Sequence, residues 1–272
     1  MIAPRSALFL PASNPRAIEK ARTLDCDMLI LDLEDAVSDD RKDEARTSAL
    51  AALAEGFGER IVAIRLNGPG TSWHEADVAA LAGSAAALVV IPKVEGAEAA
   101  AGVSAALGKP VYAMIETPAG VVAAPAIAAA DGVAGLIAGT NDLAHTLRLP
   151  SGSRTGLVLA LQSIVLAARA ADIVALDGVW NRLDDAEGLA AECTEGRAFG
   201  FDGKTLIHPN QIAVANQTFA PSDTEIEDAR ALVEAVVSGA ARFRGRMVEA
   251  MHVATARAIL ARASGKTGGS AL

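Results

Sequence analysis

The sequence has few cysteines, few aromatic residues and no excess of positive charge. Aromatic residues make up 3% of its 272 residues, so Ala, Val, Leu and Ile must fill any core. The two cysteines, Cys26 and Cys193, form no metal-binding or redox motif, which favours buried free thiols and a reducing, cytoplasmic location. The formal net charge of −9 disfavours a general nucleic-acid or membrane-surface binder, although a local basic patch is compatible with an anionic ligand.

Several common motifs are also missing from the sequence. No Gly-x-Gly-x-x-Gly turn occurs, which disfavours a doubly wound dinucleotide-binding sheet. The four histidines show no His-x-His or His-x-x-x-His spacing, so we expect no histidine zinc site. Charges interrupt every apolar stretch before it could span a bilayer, and the first residues do not resemble a signal peptide. We therefore expect a soluble protein without a membrane partner.

Short apolar runs alternate with alanine-rich stretches of helical spacing, which is typical of βα units around a parallel sheet. The hydrophobic fraction of 51% is enough for one large core. Eight such runs occur, the number that closes a (β/α)8 TIM barrel, and we predict an α/β fold of that type. The predicted strands are 6–10, 28–33, 61–66, 88–91, 111–115, 135–138, 173–176 and 205–207.

The pattern changes after residue 220. Two further helical stretches, 223–238 and 248–263, follow there, joined by Gly-Ala-Ala-Arg-Phe-Arg-Gly. The sequence thus predicts a barrel catalytic domain at 1–220 and a C-terminal helical extension at 221–262. Residues 263–272, rich in Gly, Ser and Lys, form a predicted disordered tail.

Most predicted strands end in polar residues, and in a barrel these ends surround one mouth. Glu116 and Asp142 follow consecutive strands, which lie about 5 Å apart in a barrel, so the two carboxylates are able to share one ion. Two carboxylates with remaining sites for water and substrate suit Mg²⁺. The alternative is a surface glutamate and a helix-capping aspartate.

Charged residues also end the second, third and fourth strands. Arg65 is suited to bind a substrate carboxylate through two parallel hydrogen bonds; the alternative is a salt bridge to Asp32 or Glu34, and such an acid would orient the arginine. Asp32 and Glu34 share one strand face and Asp35 lies on the other. Three roles are open for these acids: they orient Arg65 and Lys93, they hold metal-bound water, or they form a solvated strand end. For Lys93 we favour an electrostatic role over a Schiff base, since neighbouring acids would keep its pKa high.

A possible anion site lies after the first strand. Asn14 precedes Pro15 as a helix cap, and Arg16 and Lys20 follow in that helix. The alternative is a set of ordinary solvated charges. Basic residues of the next helix that would add to the site are Arg41, Lys42 and Arg46.

Eight motifs together resemble the citrate lyase β-subunit family in order and spacing, a family that lies beside the HpcH/HpaI aldolases and contains malyl-CoA and citramalyl-CoA lyases. The resemblance covers 5–211 densely. The motifs are Arg5-Ser-Ala-Leu-Phe-Leu-Pro, Asp32-Leu-Glu-Asp-Ala-Val, Ile64-Arg-Leu-Asn-Gly, Pro92-Lys-Val-Glu, Ile115-Glu-Thr-Pro-Ala-Gly, Gly139-Thr-Asn-Asp-Leu, Leu176-Asp-Gly-Val and Gly203-Lys-Thr-Leu-Ile-His-Pro.

The resemblance implies a barrel that forms a homotrimer or a multiple of it. It implies Mg²⁺ on Glu116 and Asp142, an oxo-acid on Arg65, and acyl-CoA entering near the first βα loop. The reaction implied is reversible Claisen-type C–C cleavage of a 3-hydroxyacyl-CoA to an acyl-CoA and an α-keto acid. The substrate-binding residues expected on this basis are Arg65, Glu116, Asp142, Lys93, Asn14, Arg16, Lys20 and Glu34, and the expected catalytic residues are Arg65, Asp35 and Glu249.

One C-terminal motif departs from the family. Lyases of this group often carry Gly-x-Met-[Ile/Val]-Asp, whose Asp acts as acid/base in a neighbouring subunit's site. The matching stretch here ends in Glu249, with the same carboxylate on a longer side chain. We hypothesise that Glu249 still serves, or that the substrate or reaction is modified. Two further alternatives are a class II aldolase acting on a free hydroxy acid and a non-catalytic subunit of a citrate-lyase-like complex.

Overall fold

A computed structural model describes residues 3–58, 60–235 and 241–265. Within these residues, eight parallel strands form a closed barrel in sequence order, which confirms the predicted fold. The strands are β1 (Ser6–Pro11), β2 (Met28–Asp32), β3 (Ile61–Arg65), β4 (Leu88–Ile91), β5 (Val111–Ile115), β6 (Val133–Ala138), β7 (Val174–Asp177) and β8 (Gly203–Leu206).

The ring closes where β1 pairs with β8, and helices connect the strands. No helix was predicted between the last predicted strand and residue 220, and the structure has one there, directly after β8. The barrel helices are α1 (Pro15–Ala21), α2 (Lys42–Glu55), α3 (His74–Leu81), α4 (Ala97–Leu107), α5 (Pro118–Ala128), α6 (Thr140–Thr146), α7 (Val158–Ala170), α8 (Ala186–Phe199) and α9 (Ile212–Phe219).

Apolar side chains from most of the strands fill the barrel interior, with Tyr112 among the largest of them. Tyr112 on β5 pairs in register with Gly135 on β6, and a Cβ at 135 would come within 2.9 Å of the Tyr112 ring. Because the interior is close-packed, only glycine at 135 leaves room for this ring. Although the sequence has few aromatic residues, the large ring of Tyr112 is part of this interior core.

A buried lysine also lies inside the barrel wall. Lys204 on β8 is fully buried, and its Nζ lies 3.1 Å from Asp177 Oδ2 and 2.7 Å from Glu192 Oε1. Two carboxylates from β7 and α8 thus offset the cost of burying one ammonium group. This network ties β7, β8 and α8 together on the side of the barrel away from β3.

The described residues from Gln217 onward form a compact unit of their own, distinct from the unit Pro4–Asn216. It contains α10 (Asp223–Ala235), α11 (Ala250–Ala263) and a small antiparallel pair, β9 (Ala241–Phe243) and β10 (Arg246–Val248). The sequence interpretation treated this pair as a plain connection between helices, and that was wrong. The division at residue 220 stays a prediction, and 266–272 of the predicted tail lie outside the described residues. No described helix is long and apolar enough to cross a membrane.

Candidate active site

A cavity of about 280 Å³ lies at the carboxyl ends of the barrel strands. This end of a (β/α)8 barrel is where enzymes of the fold place their catalytic groups. The cavity has an apolar side that includes Phe9 and Met114, and a side rich in charge. Its charged and amide-bearing residues are Asp32, Asp35, Arg65, Glu116, Asn141 and Asp142.

Glu116 lies just past β5 and is 3% exposed. Its Oε1 accepts a hydrogen bond of 2.7 Å from the backbone N–H of Lys93. Burial, followed by the charge of Glu34, raises the pKa of Glu116 to about 7, and Asp142 adds to this rise. A Cβ at Gly139 would overlap Glu116 Cβ and come within 2.5 Å of Oε2, so glycine is needed there. Glu116 is therefore a fixed, buried carboxylate in surroundings that favour a bound cation.

Asp142 is partly buried in the first turn of α6 and lines the same cavity. It makes no hydrogen bond or ion pair with any residue in the described part of the chain. Asp142 and Glu116 line the same cavity, and the charge of Asp142 contributes to the raised pKa of Glu116. The described residues contain no cluster of three or more His, Cys, Asp or Glu side chains able to hold a metal. A metal here would therefore need ligands from water or substrate beside the two carboxylates.

Arg65 ends β3, next to Asp32 in the register of β2 and β3. Its Nε donates to Asp32 Oδ1 at 2.6 Å and its Nη2 to Asp32 Oδ2 at 2.5 Å. The guanidinium carbon lies 4.8 Å from the centre of the Phe9 ring, a cation–π distance. Its Nη1 donates to Met114 Sδ at 3.8 Å, and a thioether is a weak acceptor. One edge of Arg65 is thus held by Asp32 through two hydrogen bonds, and Nη1 on the other edge lies beside the Glu34 carboxylate, at 2.8 Å from Oε2.

Glu34 joins Arg65 to Lys93 beside the cavity. Its Oε1 accepts from Lys93 Nζ at 2.8 Å, and its Oε2 lies 2.8 Å from Arg65 Nη1, although the angle there does not suit a hydrogen bond. Burial raises the pKa of Glu34 despite the two cations. Burial lowers the pKa of Lys93, but the hydrogen bond to Glu34 and nearby carboxylates outweigh it, so the net shift is upward. The predicted electrostatic role of Lys93 fits this ion pair.

Asp35, a predicted catalytic residue, lines the cavity, and its side chain is 61% exposed. Its carboxylate oxygens lie 4.0 Å from Arg65 Nη1 and 3.8 Å from Lys93 Nζ. Glu34 and Lys93 do not line the cavity; the Glu34 side chain is buried and that of Lys93 is 44% exposed. Sequence reasoning placed all four side chains at the same mouth, and the structure brings them together.

The predicted anion site lies beside the cavity rather than in it. Asn14 caps α1 by accepting from the Ala17 N–H at 3.1 Å. Arg16 and Lys20 are exposed one helical turn apart on α1, so their side chains project from one face. Arg16 lies in the first turn of α1 and Lys20 in its last turn, and neither residue lines the cavity.

The basic residues expected to extend this site on the next helix have other partners. Lys42 is buried, and its Nζ donates to the carbonyl oxygens of Leu33 and Glu34 at 2.8 Å. Arg46 pairs with two aspartates, one of them fully buried, and Arg41 pairs with Glu44 in the next turn. Lys42 and Arg46 are therefore occupied by protein groups, whereas Arg41 is partly exposed and donates to the carbonyl of Ser13 in the first βα loop at 2.8 Å. Their part in an anion site stays a prediction.

Glu249 belongs to the C-terminal unit, where it is exposed at the start of α11. Its backbone N–H donates to His252 Nδ1 at 3.0 Å, which fixes the first turn of the helix. The carboxylate therefore stands at a defined, solvent-accessible helix start, as an acid/base delivered to another site would require.

Sequence reasoning missed the apolar wall of the cavity. Met114 lies two residues before Glu116, so strand alternation places both on one face and would have identified it. Three other residues that were not predicted, Phe9, Val179 and Thr205, also line the cavity. Nothing in the sequence around them predicts that position.

A second cavity of about 350 Å³ lies beside the first, at the ends of β6 and β7. Reciprocal side-chain hydrogen bonds between Asn141 and Asn181 lie at the boundary between the two cavities. Arg154, which lines the second cavity, forms ion pairs with Asp177 at 2.9 Å and with two glutamates. Its charge is therefore already balanced by protein carboxylates. The smaller cavity is therefore the candidate active site. It holds the carboxylate of Asp142, which has no partner among the described residues.

Residues 5–209 match the family described as HpcH/HpaI aldolase/citrate lyase. This chain is a member of that family. A (3S)-malyl-CoA thioesterase of Cereibacter sphaeroides is 44% identical over 268 residues, which cover 95% of this chain and 94% of the relative. A citrate lyase subunit beta-like protein of Mycobacterium tuberculosis is 38% identical and covers 96% of each chain.

Solved structures of the family agree. A crystal structure of CitE from Mycobacterium tuberculosis in complex with magnesium, acetoacetate and coenzyme A matches with a TM-score of 0.82 at 34% identity, over 96% of this chain and 98% of CitE. A structure of the citrate lyase beta subunit from the same organism, with oxaloacetate and magnesium, matches with a TM-score of 0.70 at 35% identity. The resemblance inferred from the order of motifs is thereby confirmed.

Proposed function

We propose that this HpcH/HpaI family member is a Mg²⁺-dependent acyl-CoA lyase that cleaves a 3-hydroxyacyl-CoA reversibly to an acyl-CoA and an α-keto acid. The observation that carries the proposal is the meeting of Glu116, Asp142 and Arg65 in one cavity at the barrel mouth. Two relatives support it, since solved family structures hold magnesium together with small keto acids.

The donor set of the cavity fits Mg²⁺. Carboxylate oxygens are the hard ligands this ion prefers, and it usually keeps several waters beside one or two protein carboxylates. Burial, followed by the charge of Glu34, raises the pKa of Glu116 to about 7, and a bound cation would favour its charged form. When bound, Mg²⁺ would polarise the oxygens of the keto-acid half and stabilise negative charge on the alcohol oxygen.

Arg65 would bind the carboxylate or carbonyl oxygen of the same half. Nη1 forms an ion pair with Glu34 Oε2 at 2.8 Å, but its only hydrogen bond in the described structure goes to the Met114 thioether at 3.8 Å, and a substrate oxygen would be a better acceptor than that sulfur. In cleavage, the alcohol group of the substrate loses its proton, and its oxygen becomes the carbonyl oxygen of the α-keto acid. The electron pair of the broken C–C bond passes to the α-carbon of the acyl-CoA. That enolate must then be protonated. Asp35, at the cavity wall, and Glu249 are the proposed acid/base groups.

Arg16 and Lys20 are proposed to bind the phosphates of acyl-CoA at the rim of the mouth. Both are exposed and share one face of α1, so neither requires rearrangement to meet an anion. A class II aldolase acting on a free hydroxy acid would not need them. Reversal of both charges is therefore expected to raise KM for the CoA thioester and leave KM for the keto acid unchanged.

A second candidate function is hydrolysis of the thioester of a 3-hydroxyacyl-CoA. The observation that favours it is the 44% identity to a (3S)-malyl-CoA thioesterase, the highest value among the relatives described above. Both reactions use the same cavity and the same metal, and they differ in the bond that breaks. Hydrolysis would release the free hydroxy acid and CoA, whereas the lyase releases an α-keto acid and an acyl-CoA.

We also propose that the protein acts in the cytoplasm as a homotrimer or a multiple of it. Two free, buried cysteines support a reducing compartment. An apolar face on α5 and α7, where Val122, Leu159 and Leu166 are 84%, 80% and 68% exposed, supports self-association. Light scattering during size exclusion would give the mass, and a monomer would contradict this part of the proposal.

The experiment that tests the function is a screen of CoA thioesters against glyoxylate, pyruvate and oxaloacetate with Mg²⁺, read by mass spectrometry of the CoA products. We expect at least one pair to condense, and the matching 3-hydroxyacyl-CoA to be cleaved. Turnover by the purified chain would also exclude a subunit that works only inside a complex. Formation of free CoA alone would favour the thioesterase, and no turnover would contradict both enzymes.

A further inference from the structure

Asp32 is a fully buried carboxylate for which the mechanism above has no role. It ends β2 and is 0% exposed. Its Oδ1 accepts from Arg65 Nε at 2.6 Å and from the Glu34 backbone N–H at 2.8 Å. Its Oδ2 accepts from Arg65 Nη2 at 2.5 Å and from the Ala36 backbone N–H at 3.1 Å. Each oxygen thus holds one guanidinium donor and one backbone donor.

These four hydrogen bonds restrict two groups at once. Arg65 cannot rotate about its terminal bonds without losing both contacts, and the Phe9 ring covers one face of the guanidinium. The chain segment 34–36 is held to the same carboxylate through two backbone donors, and this segment carries Asp35 to the cavity wall. The arrangement places Arg65 Nη1 2.8 Å from Glu34 Oε2 and 4.0 Å from the Asp35 carboxylate.

We propose that Asp32 is a positioning residue that fixes Arg65 and the segment 34–36 together, so that Arg65 Nη1 and the Asp35 carboxylate face one substrate. This inference rests on the proposed function, because it takes the ligand of Arg65 to be an α-keto acid. Asp32 touches no substrate in this scheme. It acts by removing alternative orientations of the groups that do, which is how a fixed support contributes to rate.

The symmetry of the contacts makes Asp32→Asn an informative variant. An asparagine has one acceptor oxygen and one NH₂ donor group. In either orientation of the amide, its NH₂ would oppose one guanidinium N–H and one backbone N–H. Asparagine therefore satisfies only half of the donors, although its size is almost unchanged. Both Arg65 and the segment 34–36 would lose one fixed point.

The matched control is Asp177→Asn. Asp177 is also a fully buried aspartate at a strand end, and it binds both Arg154 and Lys204, but it does not line the proposed catalytic cavity. We expect both variants to lose thermal stability. Only Asp32→Asn is expected to lower kcat/KM, by roughly 100-fold, and to weaken Mg²⁺-dependent pyruvate binding in calorimetry by at least about tenfold. The affinity for Mg²⁺ itself should change by no more than about twofold.

A double-mutant cycle with Arg65→Lys tests whether Asp32 acts through Arg65. Lysine keeps the charge that Asp32 requires but lacks the planar fork. Because Asp32 also holds the segment 34–36, Asp32→Asn should still lower kcat/KM in the Arg65→Lys background, but by only about tenfold instead of roughly 100-fold. A full loss in both backgrounds would overturn the inference. Should Asp32→Asn not fold, Asp32→Ser, which leaves room for a water, takes its place in the same cycle.

The possible failures are distinguishable. If the wild-type protein turns over CoA thioesters and Asp32→Asn binds pyruvate as tightly as wild type, this inference fails and the proposed function stands. If the wild type has no CoA-dependent turnover but binds pyruvate with Mg²⁺, and Asp32→Asn weakens that binding, the inference stands and the proposed reaction fails. If the wild type binds none of pyruvate, glyoxylate and oxaloacetate in the presence of Mg²⁺, both are overturned.

Discussion

Lys93 adopts a left-handed backbone conformation, with φ +52°, at the point where its N–H meets Glu116. We expect Lys93→Gly to be more stable than Lys93→Ala, although glycine usually destabilises. A residue with a Cβ costs about 1–2 kcal/mol in this conformation, and glycine does not. This advantage of glycine is reduced by roughly 0.4–1 kcal/mol, because glycine raises the conformational entropy of the unfolded chain. The net advantage of about 0.5–1 kcal/mol corresponds to a rise in Tm of roughly 1–4 °C for a chain of this size.

Both variants lose the ion pair with Glu34, so that loss cancels in the comparison between them. Relative to wild type, each leaves the buried Glu34 Oε1 without its partner at 2.8 Å. An unsatisfied buried acceptor costs about 1–3 kcal/mol. We expect the lower end, since the Lys93 side chain is 44% exposed and water can enter its place. Both variants keep the backbone N–H that binds Glu116, so Mg²⁺ affinity should fall by less than about tenfold.

Thermal unfolding and Mg²⁺ titration calorimetry of the two variants measure these effects. Arg148 provides a control, because it is exposed, has φ +55° and makes no ion pair within the described residues. The difference between Arg148→Gly and Arg148→Ala isolates the backbone cost. A Tm for Lys93→Ala equal to or above that of Lys93→Gly would refute the reasoning about strain. A loss of Mg²⁺ affinity beyond tenfold in both would mean that the lysine charge, and not its backbone, orients Glu116.

Three further predictions follow from other contacts. Gly139→Ala should lower Mg²⁺ affinity and activity by about 100-fold or more, because its Cβ would displace the Glu116 carboxylate; calorimetry at wild-type affinity would contradict this. Lys204→Met should destabilise the fold by about 3–5 kcal/mol in urea unfolding, since it removes the buried ammonium group and leaves Arg154 alone to balance Asp177 and Glu192, and a loss below 1 kcal/mol would show that Arg154 is enough. Glu249→Gln should lower kcat by about 10²–10⁴-fold, while Glu249→Asp keeps a carboxylate and most of the rate; unchanged turnover in both would remove Glu249 from the mechanism.

The sequence predicted the order and number of the barrel strands because each is a short apolar run with a polar end. It placed the last strand two residues late, since Lys204 looks like a loop residue. The burial of Lys204 depends on ion pairs with Asp177 and Glu192. These acids belong to other elements, so the local sequence around Lys204 does not predict the pairs. The hairpin between β9 and β10 was missed for a local reason. Its turn, Arg244-Gly245, has positive φ at both positions, and arginine is not the residue that usually signals such a turn.

The site was predictable to the extent that strand ends determine it. Position after a strand brought Glu116, Asp142 and Arg65 to one mouth, and the order of motifs gave the family. The sequence left open whether Arg65 pairs with Asp32 or with Glu34. The structure shows that both contacts exist, with Asp32 on one edge of the guanidinium and Glu34 near the other. The backbone of Lys93 was not predictable, because its left-handed conformation depends on the position of Glu116 in space.

The most direct test of C–C lyase chemistry in the Glu116–Asp142–Arg65 cavity uses an isotope label. Purified protein would be incubated with acetyl-CoA or propionyl-CoA, ¹³C-labelled glyoxylate or pyruvate, and Mg²⁺, and the CoA thioesters analysed by mass spectrometry. We expect the label to enter a new 3-hydroxyacyl-CoA in wild type and in Asp177→Asn, and not in Glu116→Gln or after chelation of Mg²⁺. Free CoA without labelled thioester, or labelled thioester formed equally by Glu116→Gln, would contradict the proposed reaction at this site.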